Sequence, residues 1–497
     1  MKNKKATLFV ILGCILLIGI TVSFAYYLAS IQGVGKNITL KTKTLKITFT
    51  ESNNLSGENI TPGWSKTSTF TVKNEGKGSY SYNIVIKDLI NTFATTGFLQ
   101  YKITSTDGGY NMTDFKDIPK SSVASNKKLA TNITIEENGT HTYTILFTYK
   151  NSEDNQAGDM GKILSGQIII DEYTIPTLAN QLLADNPTIS TKTDFGIAFT
   201  ETNTGTLYKA TESIANSPAK DVYYFAGDAK NNWVKFGGFY WRIIRTNHDG
   251  SVRLLYAGTS PDTTEGYIGE SAFNSSRDDS MYVGYMYGTT GSLASNRTNE
   301  NNSTIKGVID TWYSNNLSSY TKYISTEAVY CNDREVGSGT YSATGSQFYY
   351  AAYSRLNPST MTPTYNCTNS KDAFSGSNNE AKLTYPIGLM TADEVAYAGG
   401  YRYNNLTSPY AWYYLNSAGG SITGSTYWWL LSPYDWRGNS ARVWFVRGSV
   451  GPGNLDYSYV NSSRGVRPAI SLKSCTLYST GNGTASSPYE IQMDGGC

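Results

Sequence analysis

The residues with the strongest chemical signature lie between Pro433 and Gly465. Tyr434, Asp435, Trp436, Arg437, Asn439, Ser440, Arg442, Phe445, Arg447, Ser449, Asn454, Asp456, Tyr457, Tyr459, Asn461 and Arg464 crowd into this run. Tyr, Trp and Arg contribute large contact area and planar hydrogen bonding, the attributes of binding hot spots. Ser, Gly and Asn fill the gaps adaptably. Apolar residues punctuate the run at Ala441, Val443, Val446, Val450, Leu455 and Val460. They are expected to pin strands to a core while the polar and aromatic side chains between them face outward.

The same run contains no Lys, Glu, Gln or Met, although Lys and Glu are common elsewhere in the chain. Replacing the adenines of an Asn codon reaches Asn, Asp, Ser, Gly, Arg, Tyr and Phe but none of those four, nor Trp. The composition is therefore what adenine-specific diversification would leave, with Trp436 and Trp444 encoded by the template. An exposed Tyr/Ser/Gly-rich loop of ordinary history gives the same composition.

Catalytic chemistry has fewer candidates. The chain holds only two His, His141 and His248, in regions assigned below to different domains. That leaves little room for a His-based metal centre or nucleophilic triad. Glu153, Asp154 and Asp159 could offer oxygens to Ca²⁺, as could Arg277-Asp278-Asp279, but neither spacing is that of an EF-hand, and solvated turns are the expectation for both. No catalytic residue and no cofactor is expected. In an exported chain, Cys331, Cys367, Cys475 and Cys497 read as two disulfides. Proximity in sequence favours Cys331–Cys367 and Cys475–Cys497, each closed loop contributing about 3 kcal/mol.

Composition restricts the partners. Against 41 basic residues stand 39 acidic ones, and the formal charge is +2 in 497 residues. This excludes a dedicated nucleic-acid binder. With 40 Tyr, 17 Phe and 9 Trp, the chain can bury substantial cores. Lys2, Lys4 and Lys5 precede an apolar run over residues 6–29, close to the roughly 20 residues that span a bilayer. Residues 1–30 are thus expected to act as a signal or membrane anchor that exports everything after them.

The elements that must position these residues change character along the chain. Residues 31–173 show period-two alternation, as in 44–50, 68–73, 81–87, 131–136, 141–149 and 167–171, separated by turns such as Pro62-Gly63 and Asn138-Gly139. This predicts an antiparallel β-sandwich, with one weak helix over 84–93 and 44–50 as an edge strand. Residues 174–220 read as a linker with a short helix at Leu178, Leu182 and Leu183. Residues 221–473 read as an α+β domain. It should hold a hairpin of 234–244 with 252–256, a helix over 305–317 burying Ile305, Val308, Ile309, Trp312 and Tyr313, and a second helix opened by the capping box Thr391-Ala392-Asp393-Glu394. Strands are expected at 427–432, 442–447 and 465–472. Residues 474–497 read as a closing hairpin, and Arg467 as an internal anchor.

Two resemblances accompany these patterns. The basic start, Ala25-Tyr26-Tyr27-Leu28-Ala29-Ser30, Leu45-Lys46-Ile47-Thr48-Phe49 and Phe70-Thr71-Val72-Lys73-Asn74-Glu75-Gly76 resemble the camelysin/TasA-type surface and biofilm-fibre family of Gram-positive bacteria. That resemblance implies a jelly roll, in some members assembling by strand exchange. Phe239-Tyr240-Trp241-Arg242-Ile243-Ile244, Gly388-Leu389-Met390-Thr391-Ala392-Asp393-Glu394-Val395, Trp428-Trp429-Leu430 and Gly465-Val466-Arg467-Pro468 resemble a bacterial surface-domain family. It is related to the C-type-lectin-like fold of formylglycine-generating enzymes and of retroelement-diversified variable proteins. The enzyme's paired active-site thiols have no counterpart here. The expectation is a cell-surface, adhesin-like receptor for a protein or glycan on another cell, host or phage. A structural fibre subunit is the alternative, and a formylglycine-type enzyme the remotest one.

Overall fold

The computed structural model describes residues 38–41, 45–50, 53–55, 60–76, 79–172, 175–197, 199, 201–215, 217–402, 412–417, 420–449, 452–493 and 497. The basic start, the apolar segment and Val450 lie outside them. The chain divides into two compact units, Met1–Thr174 and Ile175–Cys497. Both are rich in β-structure. No helix among the described residues is long and apolar enough to cross a membrane.

The first unit holds two antiparallel sheets. One has six strands, in the order Ile38–Lys41, Leu45–Phe49, Ser65–Asn74, Thr140–Tyr149, Leu99–Ser105, Lys116–Asp117. The other has Tyr80–Asn91 between Ser121–Ile135 and Leu164–Glu172. Alternation turns every second residue inward, so Ile47, Phe70, Val72, Ile145 and Phe147 from the first sheet meet Tyr82, Ile84, Ile86 and Ile168 from the second in one apolar cluster. Two expectations are corrected. Residues 84–91 are strand, not helix, within Tyr80–Asn91: register shifts between Tyr82 and Ile84 and between Ile86 and Leu89 break the two-residue parity and mimic a helical period. The 44–50 segment is not an edge either, because Leu45–Phe49 pairs on both sides, with Ile38–Lys41 and with Ser65–Asn74.

In the second unit, residues 175–220 are built into the fold rather than acting as a linker. The helix Leu178–Asp185, capped by Thr177, buries Leu178 and Leu182. Thr206–Glu212 and Lys220–Tyr224 join a ten-stranded sheet with Trp233–Phe236, Phe239–Thr246, Val252–Tyr256, Gly388–Leu389 and Pro468–Leu472. The strand expected at 234–244 is itself a hairpin, since Gly237 (φ 63°) and Gly238 (φ 84°) supply a left-handed turn between Phe236 and Phe239. Tyr478–Thr480 and Tyr489–Ile491 form the terminal hairpin, and Tyr489–Ile491 adds in parallel to Trp233–Phe236. Helix Thr304–Asn316 buries Ile305, Ile309 and Tyr313 but leaves Val308 36% exposed. Thr391 and Glu394 complete the capping box of helix Ala392–Tyr397.

A seven-stranded sheet carries the hot-spot run. Trp428–Trp436 and Ala441–Val446 are hairpin partners, Leu455–Tyr459 follows beside Ala441–Val446, and Phe348–Tyr350 flanks the far side of Trp428–Trp436. Trp428 and Trp429 are fully buried. Arg467, also fully buried, donates to the carbonyls of Tyr256 and Tyr414 and stacks on Trp428 at 4.6 Å, the anchoring role expected of it. Both expected disulfides, Cys331–Cys367 and Cys475–Cys497, are present.

Candidate functional site: an aromatic–arginine face

Strand register decides which residues of the run share a face. Tyr349 sits opposite Asp435, Asp435 opposite Arg442, and Arg442 opposite Tyr459. Two residues further along, Trp444 sits opposite Tyr457 on the same side. Pro433 cannot donate to the ladder, and register shifts on either side of it bring Tyr434 to this face as well.

The result is a continuous stack. Tyr349 and Tyr353 lie 4.0 Å apart, Tyr353 meets Tyr434 edge-on at 5.2 Å, and Tyr434 stacks on Tyr457 at 4.1 Å. Trp444 meets Tyr434 edge-on at 4.8 Å. Arg442 lies 4.0 Å from the Tyr457 ring centre and chelates Asp435 through Nε (2.6 Å) and Nη2. Arg402 lies over Tyr353 at 4.6 Å and donates to the Tyr434 hydroxyl. Burial pushes that hydroxyl far above its ordinary range, so it stays a neutral hydrogen-bonding group at physiological pH.

The expectation that the run faces outward as a whole is corrected. Tyr434, Asp435, Trp436, Ser440, Arg442, Phe445 and Asn454 are buried. Ala441, Val443, Val446, Leu455 and Val460 are buried as expected. Strands flank this hairpin on both sides, and its second side packs inward, where Trp436 faces Phe348 across the ladder. The bidentate pairing of Arg442 with Asp435 allows both charges to leave water. The side chains that do reach solvent form a rim. Tyr459 is 42% exposed and the Arg437 side chain 44%, with Asn439 and Asn461 also exposed. Tyr349, Tyr353, Tyr457, Arg447, Ser449, Asp456 and Arg464 are half-buried. Arg447 pairs with Asp456, and Arg277 lies 4.4 Å over the Tyr459 ring. Tyr349 and Tyr353 lie outside the run, and sequence reading missed them. Their signal is the tyrosine-rich stretch at 349–353 with Tyr at i and i+4.

A second arrangement was also missed: a buried charge cluster that ties the large sheet to helix Ala392–Tyr397. Glu394 Oε1 accepts from Arg245 Nε at 3.0 Å and Arg253 Nη1 at 2.7 Å, while Oε2 accepts from the Thr391 amide. Arg245 also reaches Glu212 at 2.8 Å. Burial alone would push the Glu394 carboxyl up, but Arg253 and Arg245 outweigh it and hold the group below its usual range. The sequence signal is arginine at every third place of an otherwise apolar strand, Trp241-Arg242-Ile243-Ile244-Arg245.

Of the oxygen clusters weighed for Ca²⁺, Glu153, Asp154, Arg277 and Asp278 are exposed, as expected of solvated turns, but one carboxylate of each is taken up internally. Asp159 is buried, not solvated, and accepts from the Ala94 and Thr95 amides and from the Tyr149 hydroxyl. Asp279, likewise buried, accepts from the Met281 amide. Among the described residues no three His, Cys, Asp or Glu converge as a metal site.

Comparison with curated proteins gives no match. Residues 291–474, which include Tyr349, Tyr353 and the whole aromatic–arginine face, match a family model described as a domain of unknown function, DUF6273.

Proposed function

We propose that this is an exported ligand-binding protein of the cell surface, held by its N-terminal apolar segment, with the tyrosine–arginine rim of the second unit as the binding face. In this reading the first unit is a jelly-roll stalk and the second a C-type-lectin-like recognition domain, with the rim positions of residues 434–464 open to diversification. The observation that carries it is the two-layer construction of the face. Tyr434, Asp435, Arg442 and Trp444 are immobilised beneath, and Tyr349, Tyr353, Tyr457, Tyr459 and Arg437 are presented above with part of each ring or guanidinium in water. Rigid aromatic anchors bind with little loss of side-chain entropy, so a face built this way is preorganised for a protein or glycan surface.

The experiment is a binding profile of the full chain on arrays of glycans and of bacterial and host surface proteins. Parallel profiles come from a variant in which Tyr349, Tyr353, Arg437, Tyr457 and Tyr459 are all changed to Ser. Discrete hits that vanish in the variant support the reading. Hits that persist unchanged place binding elsewhere, and a blank wild-type profile contradicts it.

A further inference from the structure

A second concavity in the second unit shares no lining residue with the aromatic–arginine face. Its volume is about 190 Å³. At roughly 30 Å³ per liquid water that is room for about six waters, the size class of one sugar ring. One wall is apolar: Ile214, Val329 and Ala373, beside the Cys331–Cys367 disulfide. Four serines, Ser217, Ser370, Ser375 and Ser377, also line the concavity. Ser375 Oγ lies 3.3 Å from Ser377 Oγ, and Asn378 holds that turn rigid by donating to the carbonyls of Ser370 (2.6 Å) and Ala373 (2.7 Å). Glu327 is an exposed carboxylate at the rim.

His248 also lines the cleft. Its side chain is 15% exposed, and Nδ1 is buried without a hydrogen-bond partner. The nearest acid, Glu212 Oε2, stands 3.7 Å away and already accepts from the His248 amide at 2.6 Å. No Lys or Arg is among the lining residues, so an anionic ligand has nothing to neutralise it.

We propose that this cleft binds one small neutral polyol, a monosaccharide in its ring form. The C–H face of a pyranose would pack on Ile214, Val329 and Ala373. Its hydroxyls would meet Ser375, Ser377 and the Glu327 carboxylate. The proposal does not depend on the aromatic–arginine face, and binding at one can fail while the other holds.

Saturation-transfer NMR on the full chain with D-glucose, D-galactose, D-mannose and N-acetyl-D-glucosamine tests it. At least one sugar is expected to bind with a millimolar Kd. Ser377→Trp, at an exposed position, fills the cleft and should weaken that sugar at least tenfold. Ser217→Trp, at a second lining position, should do the same, while Tyr457→Ala leaves the affinity unchanged. Three results would overturn the proposal. One is no detectable binding of any of the four at about 10 mM. Another is an affinity that both tryptophan variants leave intact. The third is displacement of the sugar by methylammonium at lower concentration, which would make the cleft a cation site built on Glu327.

Discussion

The two units bury polar groups by different means. In the first, the buried polar centre is neutral: the Tyr82 hydroxyl meets Tyr143 at 2.7 Å and His141 Nδ1 at 2.7 Å, inside an otherwise apolar cluster. In the second, guanidiniums do the same work. Arg253, Arg334, Arg402 and Arg467 are all fully buried, bonded to carbonyls, carboxylates or ring faces. An arginine makes five directed bonds and ties together segments that no regular ladder joins. The second unit has many short strands and long irregular connections, and that is where such ties are needed. The second unit therefore has many charged positions at which one change strands a buried partner, whereas in the first the buried carboxylate of Asp159, held by the Ala94 and Thr95 amides and the Tyr149 hydroxyl, is the clearest such position.

The largest effect should follow from Glu394→Ala, which strands Arg245 and Arg253 in the interior. The expected loss is about 3–5 kcal/mol in the second unit. Denaturant unfolding followed by tryptophan fluorescence reads it, since every Trp except Trp64 belongs to the second unit. A loss below about 1 kcal/mol would mean that the cluster is hydrated, as exposed pairs are.

Next in size is the Cys331–Cys367 bond. It closes 36 residues, so removing both thiols as Cys331→Ala/Cys367→Ala should lower stability by about 3–4 kcal/mol in the same assay. An unchanged midpoint would show that the Ile214–Cys367 contact holds that region by itself.

The neutral network of the first unit should respond to acid instead. Burial holds the His141 imidazole below its ordinary range, only partly opposed by Asp107. Tyr82 and Tyr143, the other groups facing it, stay neutral because burial raises both hydroxyls. The unfolded chain therefore binds the proton more readily. The contribution is complete above about pH 6.5 and falls as pH drops toward the folded value, below which it levels off. His141→Gln should remove that slope from the thermal midpoint of the first unit. A slope that persists would assign it to another group. Smaller still is Tyr82→Phe, with an expected cost of about 1 kcal/mol.

Legibility in the sequence follows the same division. Period-two alternation located strands such as Leu45–Phe49, Ser65–Asn74 and Thr140–Tyr149, whose residues alternate between a buried and a wetter face, but it did not single out Leu99–Ser105. It failed at Tyr80–Asn91, where bulges shift parity. In the second unit the capping box was readable because Thr391 and Glu394 work through each other. Arg467 was readable as an anchor, but its partners, the Tyr256 and Tyr414 carbonyls and the Trp428 ring, are remote in sequence and were not. The burial of Tyr434 and Arg442 was not. Asp435 and Arg442 are seven apart, and only the Arg437–Ser440 turn brings them face to face. Nothing local says that Phe348–Tyr350 will cover the other side. The rim tyrosines at 349 and 353 come from a segment about eighty residues away, joined to the run by strand pairing and by the Tyr353–Tyr434 ring contact.

A wet tyrosine rim on a buried layer should show itself in tyrosine nitration of the native full chain, read residue by residue by mass spectrometry. Tyr459, Tyr457, Tyr349 and Tyr353 should nitrate well ahead of Tyr434, Tyr413 and Tyr414. An array ligand, once bound, should protect Tyr457 and Tyr459 first. Nitration of Tyr434 at the rate of Tyr459, or a bound ligand that leaves all four rim tyrosines as reactive as before, would contradict the account.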